Sequence, residues 1–260
     1  MPSGLLVAIA GLVGLAIGSF LNVVIYRVPR DESISFPPSH CTVCGHLLSA
    51  GDNVPVISWL VLRGRCRYCG DPISSRYPLV ELMTAALFVV SVLRFGASLQ
   101  TLAAAVLSAY LIVTVFVDID HLLILDVVTV PVAIAALIIA LVQGQALPAL
   151  AGAATGAVLF GMLYIVTRGT GLGLGDVKLA ACLGLFIGWP NTLAMSAASV
   201  VIGAIIAVPL LVARKRRGRD VVPFGPFLVL GALIMTFAPA LVLGPYQAYQ
   251  EFLFRRASGL

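Results

Sequence analysis

The chain has 260 residues, of which 60% are hydrophobic and 10% charged, with a mean hydropathy of +1.08. A soluble domain carries about 25% charged residues, so these side chains cannot cover a water-facing surface, and the same balance excludes a disordered chain. The net charge of +5 reads as the basic bias of cytoplasmic loops rather than as a nucleic-acid footprint.

The first apolar run extends from Gly4 to Tyr26. No Lys or Arg precedes it, so it lacks the basic flank of a secretory signal. Arg27 and Arg30 follow directly, which predicts an N-terminus outside and a cytoplasmic segment next. Residues 27 to 78 form the long polar stretch, with four of the five cysteines and six of the sixteen basic residues. Apolar runs then return at Leu79–Phe95, Leu99–Val117, Val127–Val142, Leu147–Val166, Val177–Trp189, Leu193–Ala213 and Phe224–Leu243. They are continuous rather than alternating, which excludes an outer-membrane barrel. The expected fold is therefore an all-α polytopic membrane protein. It has about eight transmembrane helices and a small cytoplasmic insert after the first. The run at 177–189 is short for a crossing. With both ends outside, 13 basic residues fall on inner segments and 3 (Arg94, Arg255, Arg256) on the outer side, as the positive-inside rule requires. The run Arg214–Arg219 reads as an anchor to anionic membrane lipid. No nucleic-acid partner is expected, because no aromatic residues interleave it.

The insert carries Cys41-x2-Cys44 and Cys66-x2-Cys69, 21 residues apart. Each pair places two thiolates on one knuckle, and two knuckles complete a tetrahedral sulfur site that suits structural zinc. Gly45 and Gly70 follow the second cysteine of each pair, where the turn needs a permissive backbone. A segment this small has little core of its own, so a metal gives it a purpose for folding. Two disulfides would need an oxidising compartment, and an iron–sulfur cluster is a third possibility. Cys182 stands alone in an apolar run and reads as a small core residue.

Acidic residues at the edges of spans are costly and usually functional. Asp118, Asp120 and Asp126 cluster between two runs, and Asp176 follows the Gly-rich stretch 169–175. The topology puts both places at the cytoplasmic face, where carboxylates from separate helices can share a proton. Such a pair can activate water and polarise a peptide carbonyl. Asp126 also reads as an N-cap for the run that follows it. On chemistry alone, an aspartyl hydrolase and a proton- or cation-coupled transporter both fit. A third possibility is a membrane scaffold with structural acids.

Several segments, taken together and in order, resemble the type IV prepilin peptidases. They are Gly18-Ser19-Phe20-Leu21-Asn22 through Pro29, the two CxxC pairs, Asn53-x-Pro55, Trp59-Leu60-x-Leu62-Arg63-Gly64 and Ser75-Arg76-Tyr77-Pro78-Leu79-Val80-Glu81. To these add Gly173-Leu174-Gly175-Asp176-Val177-Lys178 and Pro223-Phe224-Gly225-Pro226-Phe227. The resemblance covers nearly the whole chain. It implies a membrane aspartyl endopeptidase that cuts the basic leader of prepilins or pseudopilins at the cytoplasmic face of the bacterial inner membrane. It also implies methylation of the new N-terminus with S-adenosylmethionine as donor. The implied catalytic residues are Asp118 and Asp176. Asp118 lies eight residues before Asp126, the end of a triplet in which Leu125 replaces the family's proline, and Asp120 is the runner-up. The implied metal ligands are Cys41, Cys44, Cys66 and Cys69. The expected division is a first helix at 1–26, a methyltransferase-associated insert at 27–78, a peptidase core at 79–246 and a C-terminal tail at 247–260. No Gly-rich nucleotide loop marks the methyl-donor site. Glu81 reads either as a group that orients an amine or as half of a surface pair with Arg76.

Overall fold

The computed structural model describes residues 2–170, 172–213 and 223–245. The run Arg214–Arg219 and the tail 247–260 lie outside the described residues. Each of the eight expected apolar runs coincides with a helix: α1 (Gly4–Arg27), α3 (Arg76–Phe95), α4 (Leu99–His121), α5 (Asp126–Val142), α6 (Ala146–Val166), α7 (Leu174–Ile187), α8 (Asn191–Ala213) and α9 (Gly225–Phe237). A short helix in the insert, α2, spans Ile57–Val61. Among the described residues there are no strands, and two isolated bridges, His40–Leu47 and Arg65–Pro72, are the sole β pairing. The segment Gly4–Arg30 and helices α3, α4 and α6 are each long and apolar enough to cross a membrane. The protein is a multi-pass membrane protein.

The chain divides into two compact units, the first ending at Val117 and the second beginning at Asp118. In the first unit, α1 packs along α3 through glycines. A Cβ at Gly14 would sit 2.5 Å from the Ala85 Cα, and one at Gly18 would sit 2.6 Å from the Glu81 Cα. With lipid as apolar as any core, contact of backbone with backbone is what holds such helices together. Arg27, expected as a flanking charge, is instead buried and donates to the Ser33 and Pro38 carbonyls at 2.9 and 3.4 Å. It ties the start of the insert to the end of α1.

In the second unit, α7 packs against α5, α6, α8 and α9. Its Leu179, Ala180 and Leu183 are fully buried. At 14 residues it is about 21 Å long, short of the roughly 30 Å of hydrocarbon. A helix walled in by four others has few lipid contacts to match. The α6–α7 crossing again depends on glycine: a Cβ at Gly156 would lie 2.7 Å from the Ala180 carbonyl carbon, and one at Gly184 would lie 2.7 Å from the Ala153 nitrogen.

Two expectations change. The last apolar run does not continue as one helix to Leu243, because α9 stops at Phe237 and helix resumes at 240–245. Ala238, at φ −141° and ψ 51°, precedes Pro239, and a residue before proline is pushed out of the helical region. Asp126 is not an N-cap. Leu125 holds that position, with no side-chain cap, and Asp126 begins α5 and pairs with the Lys178 Nζ at 2.7 Å. Leu125 has a φ of −79°, within the range that a proline ring imposes, so leucine here adopts the backbone of the residue it replaces.

The packing distinguishes two glycines on one helix. A Cβ at Gly11 would meet the Val89 Cγ2 at an ordinary 3.6 Å. Gly11→Ala is therefore expected to leave thermal stability in detergent micelles unchanged or raised, by up to about 1 kcal/mol. Gly14→Ala is expected to lower it by about 1–3 kcal/mol through overpacking. Equal melting of the two variants would contradict this account of the helix crossing.

Candidate functional site: a carboxylate pair and a four-cysteine cluster

Asp118 lies in the last turn of α4, and Asp176 in the first turn of α7. Both are buried, at 5% and 9% exposure, whereas Asp120 is exposed. The Asp118 and Asp176 carboxylates are close enough to interact electrostatically. Asp176 Oδ2 accepts the Gly173 N–H at 3.0 Å, and the Asp176 N–H donates to the Gly173 carbonyl at 3.1 Å. This is a reciprocal cap at the positive end of a helix. Gly175 permits the next contact, since a Cβ there would lie 2.9 Å from the Ile124 Cγ1. The loop after α4 thus rests against the start of α7.

Asp118 is held differently. The Gly225 N–H, at the start of α9, lies beside its carboxyl, and Oδ2 is buried with no hydrogen-bond partner among the described residues. A Cβ at Gly225 would collide with that oxygen. The aromatic rings of the same motif pack together: Phe224 lies on Phe160 and Phe227 at centroid distances of 5.8 and 5.9 Å. A buried acceptor without a donor is rare and demands an explanation. Water or a peptide carbonyl arriving with substrate would meet it. Lys178, two residues past Asp176, points to Asp126 instead.

In the first unit the two CxxC segments form the same local structure twice. The Cys41 N–H donates to the His46 carbonyl at 2.9 Å, and the Gly45 N–H returns to the Cys41 carbonyl at 2.9 Å. The Cys66 N–H donates to the Asp71 carbonyl at 2.8 Å, and the Gly70 N–H to the Cys66 carbonyl at 3.0 Å. Gly45 and Gly70 sit at φ of 71° and 77°, left-handed conformations that glycine takes without strain.

The four Sγ atoms lie within 4.8 Å of one another, with Cys41 and Cys69 at 3.9 Å. A tetrahedral metal with bonds of about 2.3 Å would hold its sulfurs about 3.8 Å apart, so the cluster could bind a metal ion after a small contraction. Backbone N–H groups of Cys44 and Val43 hold the Cys41 thiol down to about 7. The Asp71 N–H pulls on Cys69 in the same sense. Desolvation and its thiol neighbours outweigh it and push Cys69 up to about 12. Four thiols packed this closely do not all ionise without a cation among them.

Sequence reasoning missed Asp52. Its side chain, 2% exposed, accepts from the Ser49 hydroxyl at 2.7 Å, the Arg67 Nε at 2.7 Å and the Tyr68 hydroxyl at 3.4 Å. Tyr68 in turn stacks on His46 at 3.5 Å. Asp52 therefore ties the linker to the second knuckle, and through Tyr68 to the first. His40 contacts the Pro38 carbonyl at 3.0 Å, and neither histidine belongs to the cysteine cluster. The Ser49 hydroxyl and the Arg67 guanidinium hold the Asp52 carboxyl down to about 2, from 3.8. A lowered folded value contributes stability above pH 3.8 that is lost as pH falls toward 2. Asp52→Asn is thus expected to lower the unfolding temperature, followed by tryptophan emission, near pH 7. Its gap from the parent protein should narrow as pH falls below 4. A gap independent of pH would remove the carboxylate from this role.

A model of the bacterial peptidase A24 N-terminal domain matches residues 12–95, and a model of the type IV leader peptidase family matches residues 105–208. A prepilin leader peptidase/N-methyltransferase of Myxococcus xanthus is 43% identical over 213 residues, covering 80% of this chain and 64% of that protein. Proteins of the same name from Aeromonas hydrophila and Xanthomonas campestris are 37% and 39% identical. They cover 86% and 88% of this chain, and 87% and 90% of their own length is matched. No solved structure matches. The first match takes in the insert and its CxxC pairs, the second both buried aspartates, and relatives align along most of their length. The chain belongs to the type IV leader peptidase family.

Proposed function

We propose that the protein is a prepilin-processing enzyme of the bacterial inner membrane. It cleaves the basic leader of type IV prepilins or pseudopilins at the cytoplasmic face and methylates the new N-terminus. The observation that carries the cleavage half is the buried, donor-less Asp118 carboxylate oxygen within electrostatic reach of Asp176. In this reading the two carboxylates share one proton. The ionised oxygen takes a proton from water as it attacks the scissile carbonyl. The protonated one polarises that carbonyl, and a proton is then returned to the leaving amine. The exposed position of Asp120 favours Asp118 as the partner of Asp176. The positive-inside bias favours a cytoplasmic position for the loops after α4 and α6, and hence for both acids.

The methylation half is supported by the insert and by the names of the relatives that share it. The four thiolates suit zinc and leave no coordination position open, so the metal holds the two knuckles together rather than meeting substrate. S-adenosylmethionine, when bound, supplies the methyl group as an electrophilic sulfonium. Residues 27–78 with the facing ends of α1 and α3 form the methyl-transfer part, and the second unit carries the peptidase. The transporter reading finds no support, because both matched families are peptidases.

Asp118→Asn and Asp176→Asn are each expected to slow cleavage of a purified prepilin by about 10²–10⁴-fold, with the helical circular dichroism of the parent retained. Full cleavage by both folded variants rejects the assignment. Cys41→Ser combined with Cys66→Ser is expected to remove zinc, measured by elemental analysis, and to lower methyl transfer or thermal stability more than cleavage per folded molecule. An equal loss of both reactions per folded molecule would count against separate sites.

A further inference from the structure

The first unit contains a cavity of ≈ 720 Å³ that the aspartate chemistry does not use. Three parts of the chain wall it: Phe20 and Val23 of α1, Asn53 and Trp59 of the insert, and Tyr77 and Glu81 of α3. Its lining joins apolar residues of α1 to residues of the insert that include Cys41 and Cys66.

Glu81 is the unusual member. It is 7% exposed, so the expected surface pair with Arg76 does not describe it. Arg76 reaches the Phe116 carbonyl at 3.1 Å and lies over the Phe116 ring at 4.6 Å. Among the described residues no Lys or Arg forms an ion pair with Glu81. Buried carboxylates are ordinarily paired with a cation. Its Oε2 accepts the Val56 N–H at 2.7 Å, which leaves acceptor capacity on the carboxylate. Val56 itself is held at a φ of 61°, a strained conformation for a β-branched residue of the kind that collects at functional sites. On the other side, the close approach of Gly18 to the Glu81 Cα fixes this turn of α3 against α1. Asn22 of α1 also donates to the Tyr77 carbonyl at 3.1 Å. The carboxylate is thus positioned from both sides, faces a cavity and has no ion-pair partner among the described residues.

We propose that this cavity is the methyl-transfer site and that Glu81 receives the α-amine of the processed substrate; this deepens, and rests on, the prepilin reading above. A primary ammonium brings three N–H donors to a carboxylate, whereas a sulfonium brings none, so the amine rather than the methyl donor is the cation Glu81 recognises. The apolar residue chain that follows the new N-terminus lies along the α1 wall, and the insert side of the cavity is left for the donor. The ammonium gives one proton to the Glu81 carboxylate or to water. The neutral nitrogen then attacks the methyl carbon of the sulfonium. The N–C bond forms as the C–S bond breaks, the electron pair stays on sulfur, and the products are an N-methylammonium and a neutral thioether.

The test uses the full chain in detergent micelles with Glu81→Gln, which keeps the side-chain shape and an oxygen for the Val56 N–H. Four quantities are measured: prepilin cleavage, methyl transfer to the cleaved product, calorimetric affinity for S-adenosylmethionine, and calorimetric affinity, without donor, for a synthetic peptide with the processed N-terminus. An N-acetylated peptide is the control. The expected result is unchanged cleavage and donor affinity, with affinity for the free-amine peptide and methyl transfer each lowered at least about tenfold, and no change for the acetylated peptide. Unchanged affinity for the free-amine peptide overturns the proposal, and so does an equal loss for the acetylated one. A loss of donor affinity instead assigns the carboxylate to the sulfonium and overturns it as well, and a loss of cleavage makes Glu81 a folding residue with the same consequence. Parent protein that cleaves prepilin but transfers no methyl group sinks the functional reading itself, a failure visible without the variant.

Discussion

Leaving a buried acceptor without a hydrogen bond costs about 1–3 kcal/mol, and more when the group is charged, yet the second unit is arranged to keep the Asp118 oxygen in that state. Its neighbours could have relieved it. Gly225 brings a backbone N–H near the carboxyl, and any larger residue would collide with its Oδ2. The rings at 224 and 227, on either side of Gly225 in the same motif, pack edge to face. On the facing helix the Gly173–Asp176 cap fixes one carboxylate oxygen by a backbone donor, so the second acid is oriented while the first is left wanting a partner. A peptidase site of the proposed kind, which binds water and a peptide carbonyl and then releases both, gains from such an arrangement. The stabilisation is withheld from the resting protein and becomes available when substrate arrives.

Glycine recurs wherever this protein brings chemistry into register. In the first unit it sets α1 against α3 at the turn that bears Glu81; in the second it sets α6 against α7 and the loop after α4 against the start of α7. In water, burial of large side chains would do this work. Between membrane helices that driving force is weak, and close approach of backbones replaces it. The insert solves a different problem. It has almost no apolar core, so it relies on two duplicated turns, four sulfurs and one buried carboxylate. Asp52 joins the linker to both knuckles with hydrogen bonds that a larger domain would spread over many side chains.

Much of this was legible in the residues. Continuous apolar runs located all eight long helices, the CxxC spacing located the sulfur cluster, and Gly-x-Gly-Asp located the start of α7. What failed did so for local reasons. Asp126 has the composition of an N-cap, but the proline-like backbone at Leu125 moved the helix start by one residue, and Lys178, 52 positions on, claimed the carboxylate. The end of α9 was overestimated because hydropathy is blind to Pro239. Asp52 and Arg27 looked like ordinary polar residues of a polar segment; their burial follows from tertiary closure, which no periodicity encodes. Glu81 was visible as an acid at the edge of a span, but its lack of a cation is a property of the folded unit.

The division of acids between the two units has a chemical rationale. Hydrolysis uses two carboxylates that share one proton, and that sharing depends on their mutual repulsion in a poorly solvated place. Recognition of an ammonium needs the opposite, a single carboxylate free to be ionised. A third acid within the pair would disturb the proton balance on which peptide cleavage depends. Asp118 and Asp176 belong to the second unit and Glu81 to the first, so under the proposed assignment each reaction keeps its own acid chemistry. The order of events follows from the substrate, because the amine does not exist until the leader is cut. In the proposed scheme, peptide cleavage at Asp118 and Asp176 therefore creates the ligand for Glu81.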